Sequence, residues 1–200
     1  MKRILIACLL STVIVLSALP AVAADVVLDY ARTAYASLTG MDKNSSDFAR
    51  QTAQKMRTLF DVDGLAGFAM QDIKSKISEG EYQDLSAVFA DVFFANIERK
   101  ADKIAARRLK NPTFSVRESQ PELVVVQAAG LAATGQATMA FYFKPISVGE
   151  WKLVDLEIES VRLSRNYRGL FNRVFREKGY VGLKEKLAAR LKELVPITAP

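Results

Sequence analysis

The chain has 200 residues, half of them hydrophobic, with 28 Lys and Arg against 22 Asp and Glu, one cysteine and no histidine. Its length suits one domain that buries roughly two thirds of its unfolded surface without disulfides or metals. A lone cysteine excludes an internal disulfide, and the missing histidine removes the side chain that usually does acid-base work at neutral pH.

Lys2 and Arg3 precede an apolar run from Ile4 to Leu16, and Ala21-Val22-Ala23 supplies a small-x-small cleavage site. We read residues 1–23 as a cleaved signal peptide and 24–200 as a single exported domain, because the run is too short to span a bilayer. Cys8 leaves with the leader. Export argues against nucleic acid as a partner.

Val27, Tyr30, Ala31, Ala34 and Leu38 then predict a helix that Gly40 ends. A second opens at Ser46, with Phe48, Thr52, Met56 and Leu59 on its apolar side. Asp63 reads as the N-cap of a short helix over Leu65–Met70. Asp61 and Asp63 before Gly64 do not complete a calcium loop, since Leu65 stands at the third ligand position and Asp72 where a bidentate Glu belongs. No metal site follows.

Ser78-Glu79-Gly80-Glu81 has capping-box spacing, and a long helix follows it to Asn111-Pro112. Tyr82, Leu85, Val88, Phe89, Val92, Phe93, Ile97 and Ile104 give it a wide apolar face. Its basic end, Arg99 to Arg108, suits the helix dipole.

From Thr113 the period changes to two. Phe114 and Val116 suggest a short strand, Glu122–Ala129 a buried one, and Thr134–Phe143 a clear alternation with Ala137, Met139, Phe141 and Phe143 on one face. Ala132 to Gly135 reads as a hairpin connection and Pro145 to Glu150 as a turn. In the next strand Val154, Leu156 and Ile158 alternate with Leu153, Asp155, Glu157 and Glu159. Val161 and Leu163 continue one residue out of step, which predicts a bulge near Glu159 and Ser160. The strand runs without a linker into a helix whose apolar stripe is Tyr167, Leu170, Phe171, Val174 and Phe175, capped by Gly179. Leu183, Leu187, Leu191 and Leu194 line a last helix. The expected class is α+β: helices first, a curved antiparallel sheet of about four strands, then helices packed over it.

The residues Trp151 to Asp155 (Trp-Lys-Leu-Val-Asp), Val161 with Leu163, Asn166-Tyr167-Arg168 and Phe171 resemble the C-terminal signature of the MlaC family, also called the toluene-tolerance family. The likeness extends more loosely through Phe60-Asp61-Val62 and the helix after Ser78. It departs at Ser160 and Arg162, where the family often has Gly and Ser, and at Ala69-Met70, where Leu-Gly is usual. The resemblance implies a nuclear-transport-factor-like cone with added helices. It further implies a periplasmic phospholipid-binding protein that shuttles lipid between an outer-membrane lipoprotein complex and an inner-membrane ABC transporter bearing an MCE-domain protein. Its cargo would be phospholipid, with no cofactor.

On that reading the acyl chains are lined by Phe89, Val92, Phe93, Met139, Phe141, Phe143, Leu156, Tyr167, Phe171 and Phe175, with Arg165 and Arg168 as headgroup or partner contacts. Taken singly, each apolar residue reads more readily as plain core than as lining. Tyr167 has two readings, as lining or as a post fixing the strand-to-helix corner, and Arg168 can instead pair with a carboxylate.

Catalytic chemistry is sparse. Asp155 and Glu157 lie two apart and share a strand face, a geometry open to hydrolytic work, but we read that face as solvated and the chain as no enzyme. Between Arg162 and Lys192, ten Lys and Arg stand against Glu177 and Glu185. Such a basic surface suits an anionic partner, so a non-catalytic interaction module docking through the C-terminal helices is the alternative to a carrier.

Overall fold

The computed structural model describes residues 20–147 and 149–195; the leader's apolar run lies outside the described residues. Helices α1 (Pro20–Thr39), α2 (Phe48–Leu59), α3 (Val62–Ala69), α4 (Glu79–Arg99) and α5 (Ala101–Ala106) come first. Strands β1 (Lys110–Gln120), β2 (Leu123–Ala132), β3 (Gly135–Ser147), β4 (Glu150–Ile158) and β5 (Val161–Arg162) follow, and α6 (Leu163–Leu194) closes the fold. Four long strands and a two-residue fifth pair antiparallel in the order β1-β2-β3-β4-β5. The chain is α+β, as expected.

The capping box forms as read: Ser78 Oγ accepts from Glu81 N at 3.2 Å, and Glu81 Oε2 accepts from Ser78 N at 2.8 Å. The helix it opens is shorter than expected. The Lys100 amide is shared between the carbonyls of Asn96 and Ile97, which tightens the last turn of α4 and starts α5 on a new axis. Ala101 is thereby buried, while Ile104 is turned out to 42% exposure.

Two predicted caps move. Asp61, not Asp63, caps α3, its Oδ1 accepting from Gly64 N at 2.9 Å. The cause is tertiary: Phe60 bridges Leu153, and Asp61 N donates to Leu153 O at 2.8 Å, which holds Asp61 extended as an N-cap must be. A Cβ on Gly64 would lie 2.8 Å from Val154 Cγ1, so only glycine fits this approach to β4. Likewise α2 starts at Phe48, with Asp47 rather than Ser46 in the cap position and no side-chain cap.

The strands outrun their predicted ends. β1 detours at Asn111 (φ 46) around Pro112, and its register shifts between Lys110 and Thr113. A Cβ on Gly130 would sit 2.9 Å from Lys110 O, so the detour needs glycine opposite. β3 continues through Pro145, which pairs with Trp151 beyond the last β2 pair, Val124 with Phe143. A proline is tolerated there because β3 has become an edge.

The phase slip after Glu159 is not a bulge. Glu159 (φ 50) and Ser160 (φ 65) form a two-residue hairpin that pairs Ile158 with Val161 and Glu157 with Arg162. The bulge in β4 is instead at Val154: Tyr142 pairs with Asp155 but Phe143 with Leu153. Val154 therefore leaves the face of Leu156 and joins Val125, Ala140 and Tyr142 on the sheet's other side, while Leu153 enters the main core.

Gly179 (φ 64, ψ −162) divides α6 into two helical halves. The first buries Phe171 and Val174, the second Leu183, Leu187 and Leu194. Asp84 of α4 pins the junction, accepting from Tyr180 Oη at 2.6 Å and Lys184 Nζ at 2.5 Å.

Candidate functional site

Directly opposed residues of neighbouring strands share a face, so the register lays out the helix-covered side of the sheet in rows. Val124, Phe143 and Leu153 form one row, Val116, Val126, Phe141 and Leu156 the next, and Phe114, Ala128, Met139, Ile158 and Val161 the third. Burial falls across these rows. The first is wholly buried; in the third only Ala128 is, Phe114, Met139 and Ile158 are half-buried, and Val161 is 52% exposed. One end of the sheet's inner face is thus a dry core and the other an apolar strip that reaches the surface.

Aromatic rings close the dry end. Phe89 meets Tyr167 edge-on at 4.8 Å and Phe171 at 5.3 Å, Phe93 meets Phe60 at 5.0 Å, and Tyr30 of α1 meets Phe143 at 5.6 Å. Tyr35, one turn further along α1, stands over Phe114 at 5.7 Å and Phe141 at 6.2 Å, at the border of the strip. Its hydroxyl accepts from Leu109 N at 2.6 Å and donates to Leu109 O, which fixes the ring.

The proposed lining residues therefore separate into two groups. Phe89, Val92, Phe93, Phe143 and Phe171 lie in the closed core. Met139, Phe141, Leu156, Tyr167 and Phe175 are half-buried, and Met139, Phe141 and Leu156 belong to the strip. Tyr167 packs its ring in the Phe89 cluster, and burial pushes its hydroxyl pKa up to about 12. Ile158, Val161, Phe114 and Tyr35 were not among the sequence candidates. The signal for the first two was present, because a polar pair, Glu159-Ser160, between two apolar alternations is also a hairpin signature.

Two clefts of about 390 Å³ lie elsewhere. One sits at the α6 kink against Arg173, Glu177, Lys178, Gly182, Glu185 and Lys186, and the other is lined by Met41, Gln51 and Lys55. None of the proposed lining residues borders either cleft.

The carboxylates are not solvated as expected. Asp155 is 0% exposed. Its Oδ1 accepts from Leu156 N at 2.9 Å and Ser164 N at 3.0 Å, and its Oδ2 accepts from Arg162 Nε at 2.5 Å and from Ser164 Oγ. Asp155 lies with Tyr142 on the sheet's other side, and there it satisfies a first-turn amide of α6 for which Arg162 offers no side-chain cap. Glu157 accepts from Arg117 Nη1 at 3.0 Å and Tyr142 Oη at 2.8 Å, and the Arg117 bond holds its carboxyl below the usual range. Arg162 stacks 4.0 Å from the Tyr142 ring centre. Both carboxylates are committed to structural bonds, Asp155 at the strand-to-helix corner and Glu157 across the sheet to β1 and β3.

Arg168 takes the carboxylate-pairing role. Its Nε donates to Asp72 Oδ2 at 2.6 Å and its Nη2 to Oδ1, while Asn172 Nδ2 donates to Asp72 Oδ2 at 2.7 Å. Arg165 is exposed on the first turn of α6. Among the described residues there is no cluster of three or more metal-ligating side chains, and no helix is long and apolar enough to cross a membrane.

With corner, core and strip in place, comparison with known proteins gives the class. The MlaC protein family matches residues 29–189, and the chain belongs to that family. Among solved structures it is similar to a phospholipid-binding protein from Ralstonia solanacearum, solved in complex with a phospholipid, at a TM-score of 0.62 and 20% identity. The alignment covers 86% of this chain and 98% of that one, a likeness of fold. No curated protein matches the sequence.

Proposed function

We propose that the protein is a periplasmic carrier that binds phospholipid by its acyl chains and passes it between membrane complexes. The observation that carries this is the apolar strip of Phe114, Met139, Ile158 and Val161, backed by Phe141 and Leu156 and open at one edge. Membership of the MlaC family and the phospholipid complex of the Ralstonia relative support the choice of ligand. Tails lie along the strip, with the Phe89, Phe93 and Phe171 cluster as their floor and Tyr167 at the boundary. Arg165 is the headgroup contact. Arg168 is held by Asp72.

Magnitudes favour recognition by tail. Burying a methylene is worth about 0.8 kcal/mol, so one acyl chain amounts to roughly 10 kcal/mol, whereas an exposed Arg-phosphate contact gives about 1 kcal/mol. A bilayer shelters the chain equally well, so exchange is near balance, and direction comes from partners with different affinities for loaded and empty carrier. We assign those roles to an outer-membrane lipoprotein complex and an inner-membrane ABC transporter with an MCE-domain protein, with residues 1–23 directing export.

Met139→Gln tests the site. Lipid retained after incubation with liposomes and detergent-free repurification falls several-fold in the variant, at unchanged far-ultraviolet circular dichroism. Full retention would remove the strip from the binding site.

A further inference from the structure

We infer that α5 and the turn after it form a docking surface for anionic phospholipid bilayers, separate from the lipid-holding strip. Lys100, Lys103, Ile104 and Arg107 fall at i, i+3, i+4 and i+7, the spacing of one helical face, and all four are exposed. The opposite side is anchored by buried Ala101 and Leu109. Arg108 points inward, its guanidinium donating to Leu38 O at 2.8 Å and Thr39 O at 2.9 Å. Tyr35 clamps Leu109 by both its amide and its carbonyl, so the face is held rigid.

Lys110, exposed at the start of β1 next to the buried Leu109, continues the cationic series. Among the described residues, Lys100, Lys103, Arg107 and Lys110 take part in no ion pair. From residue 99 to 110 six cations face a single carboxylate, Asp102. The helix dipole accounts for cations near the ends of α4 and α5, but not for the outward Ile104 among them. Basic side chains around an exposed apolar one match an anionic interface, where phosphates take the charges and the acyl boundary takes Ile104.

The test is flotation of the purified protein with vesicles of phosphatidylcholine alone or mixed with phosphatidylglycerol, at low and high salt. Partitioning is expected only with the anionic vesicles, weakened by salt. Lys103→Glu with Arg107→Glu lowers it by about tenfold or more, and Ile104→Ser by a smaller factor. The control Lys178→Glu with Lys186→Glu, on the α6 surface, leaves it within twofold.

No partitioning of the wild type, or equal loss in the α6 control, would overturn the assignment. Circular dichroism confirms folding of each variant. Native mass spectrometry of bound lipid is read separately, so failure of docking is distinguished from failure of the carrier function.

Discussion

Asp155 is the residue on which the strand-to-helix corner depends. It is fully buried and accepts from two amides, a hydroxyl and a guanidinium. Asp155→Ala strands those donors and the Arg162 charge, and we expect a loss of about 3–5 kcal/mol in urea unfolding. A loss below about 1 kcal/mol would show that water substitutes for the carboxylate.

Asp72 gives a prediction in pH. Its bonds from Arg168 and Asn172 lower its pKa from 3.8 to about 2. A carboxyl depressed in the folded state contributes stability that is present above pH 3.8 and is lost as pH falls through about 2. Asp72→Asn therefore flattens the acid limb of a stability profile across that window and leaves its slope near neutrality unchanged. Tyr167 separates ring from hydroxyl. Tyr167→Phe is expected within about 1 kcal/mol of wild type, and Tyr167→Ala to cost about 3 kcal/mol, because the Phe89 and Phe171 rings lose their partner.

At the scale of elements, the β4–β5 hairpin and the α6 kink each make a demand on the backbone. Glu159 and Ser160 both take positive φ, which suits Asn-Gly better than Glu-Ser. Glu159→Asn with Ser160→Gly should raise stability by about 0.5–1 kcal/mol. Gly179→Ala, at φ 64 and ψ −162, should lower it by about 1–3 kcal/mol. Thermal melts of both variants measure the two effects.

These elements also mark how far the sequence could be read. Local chemistry was legible: the Ser78 capping box, the Gly179 break and the alternation of β3 all stand where periodicity and cap residues put them. What failed was set by distant partners. The cap of α3 moved to Asp61 because β4 bonds its backbone, and Leu153 and Val154 exchanged faces because Val154 bulges against β3. Asp155 kept its predicted face but looked solvated, because the donors that cover it come from Arg162 and Ser164 beyond the hairpin. Of the candidate site, the aromatic residues were recognisable as large apolar groups. Their division into a closed core and an open strip was not, because it depends on cross-strand register.

Across the whole molecule, α1 and α6 cover the same face of the sheet, Tyr35 bordering the strip and Tyr167 closing the core. The free energy of tail burial and that of dry-core packing are of one kind, so on the proposed function a single apolar face, graded by row, would serve both. Charge is arranged apart from it, on α5 and the outer surface of α6. A carrier needs this separation, because contact with a bilayer must not compete with retention of cargo.

The most direct measurement is native mass spectrometry of the protein purified from a bacterial periplasm without detergent, followed by organic extraction of any adduct. The account predicts a stoichiometric phospholipid mass that is diminished in Met139→Gln. Bare protein, unchanged after incubation with liposomes, would contradict it and leave a dry interaction module on the same fold.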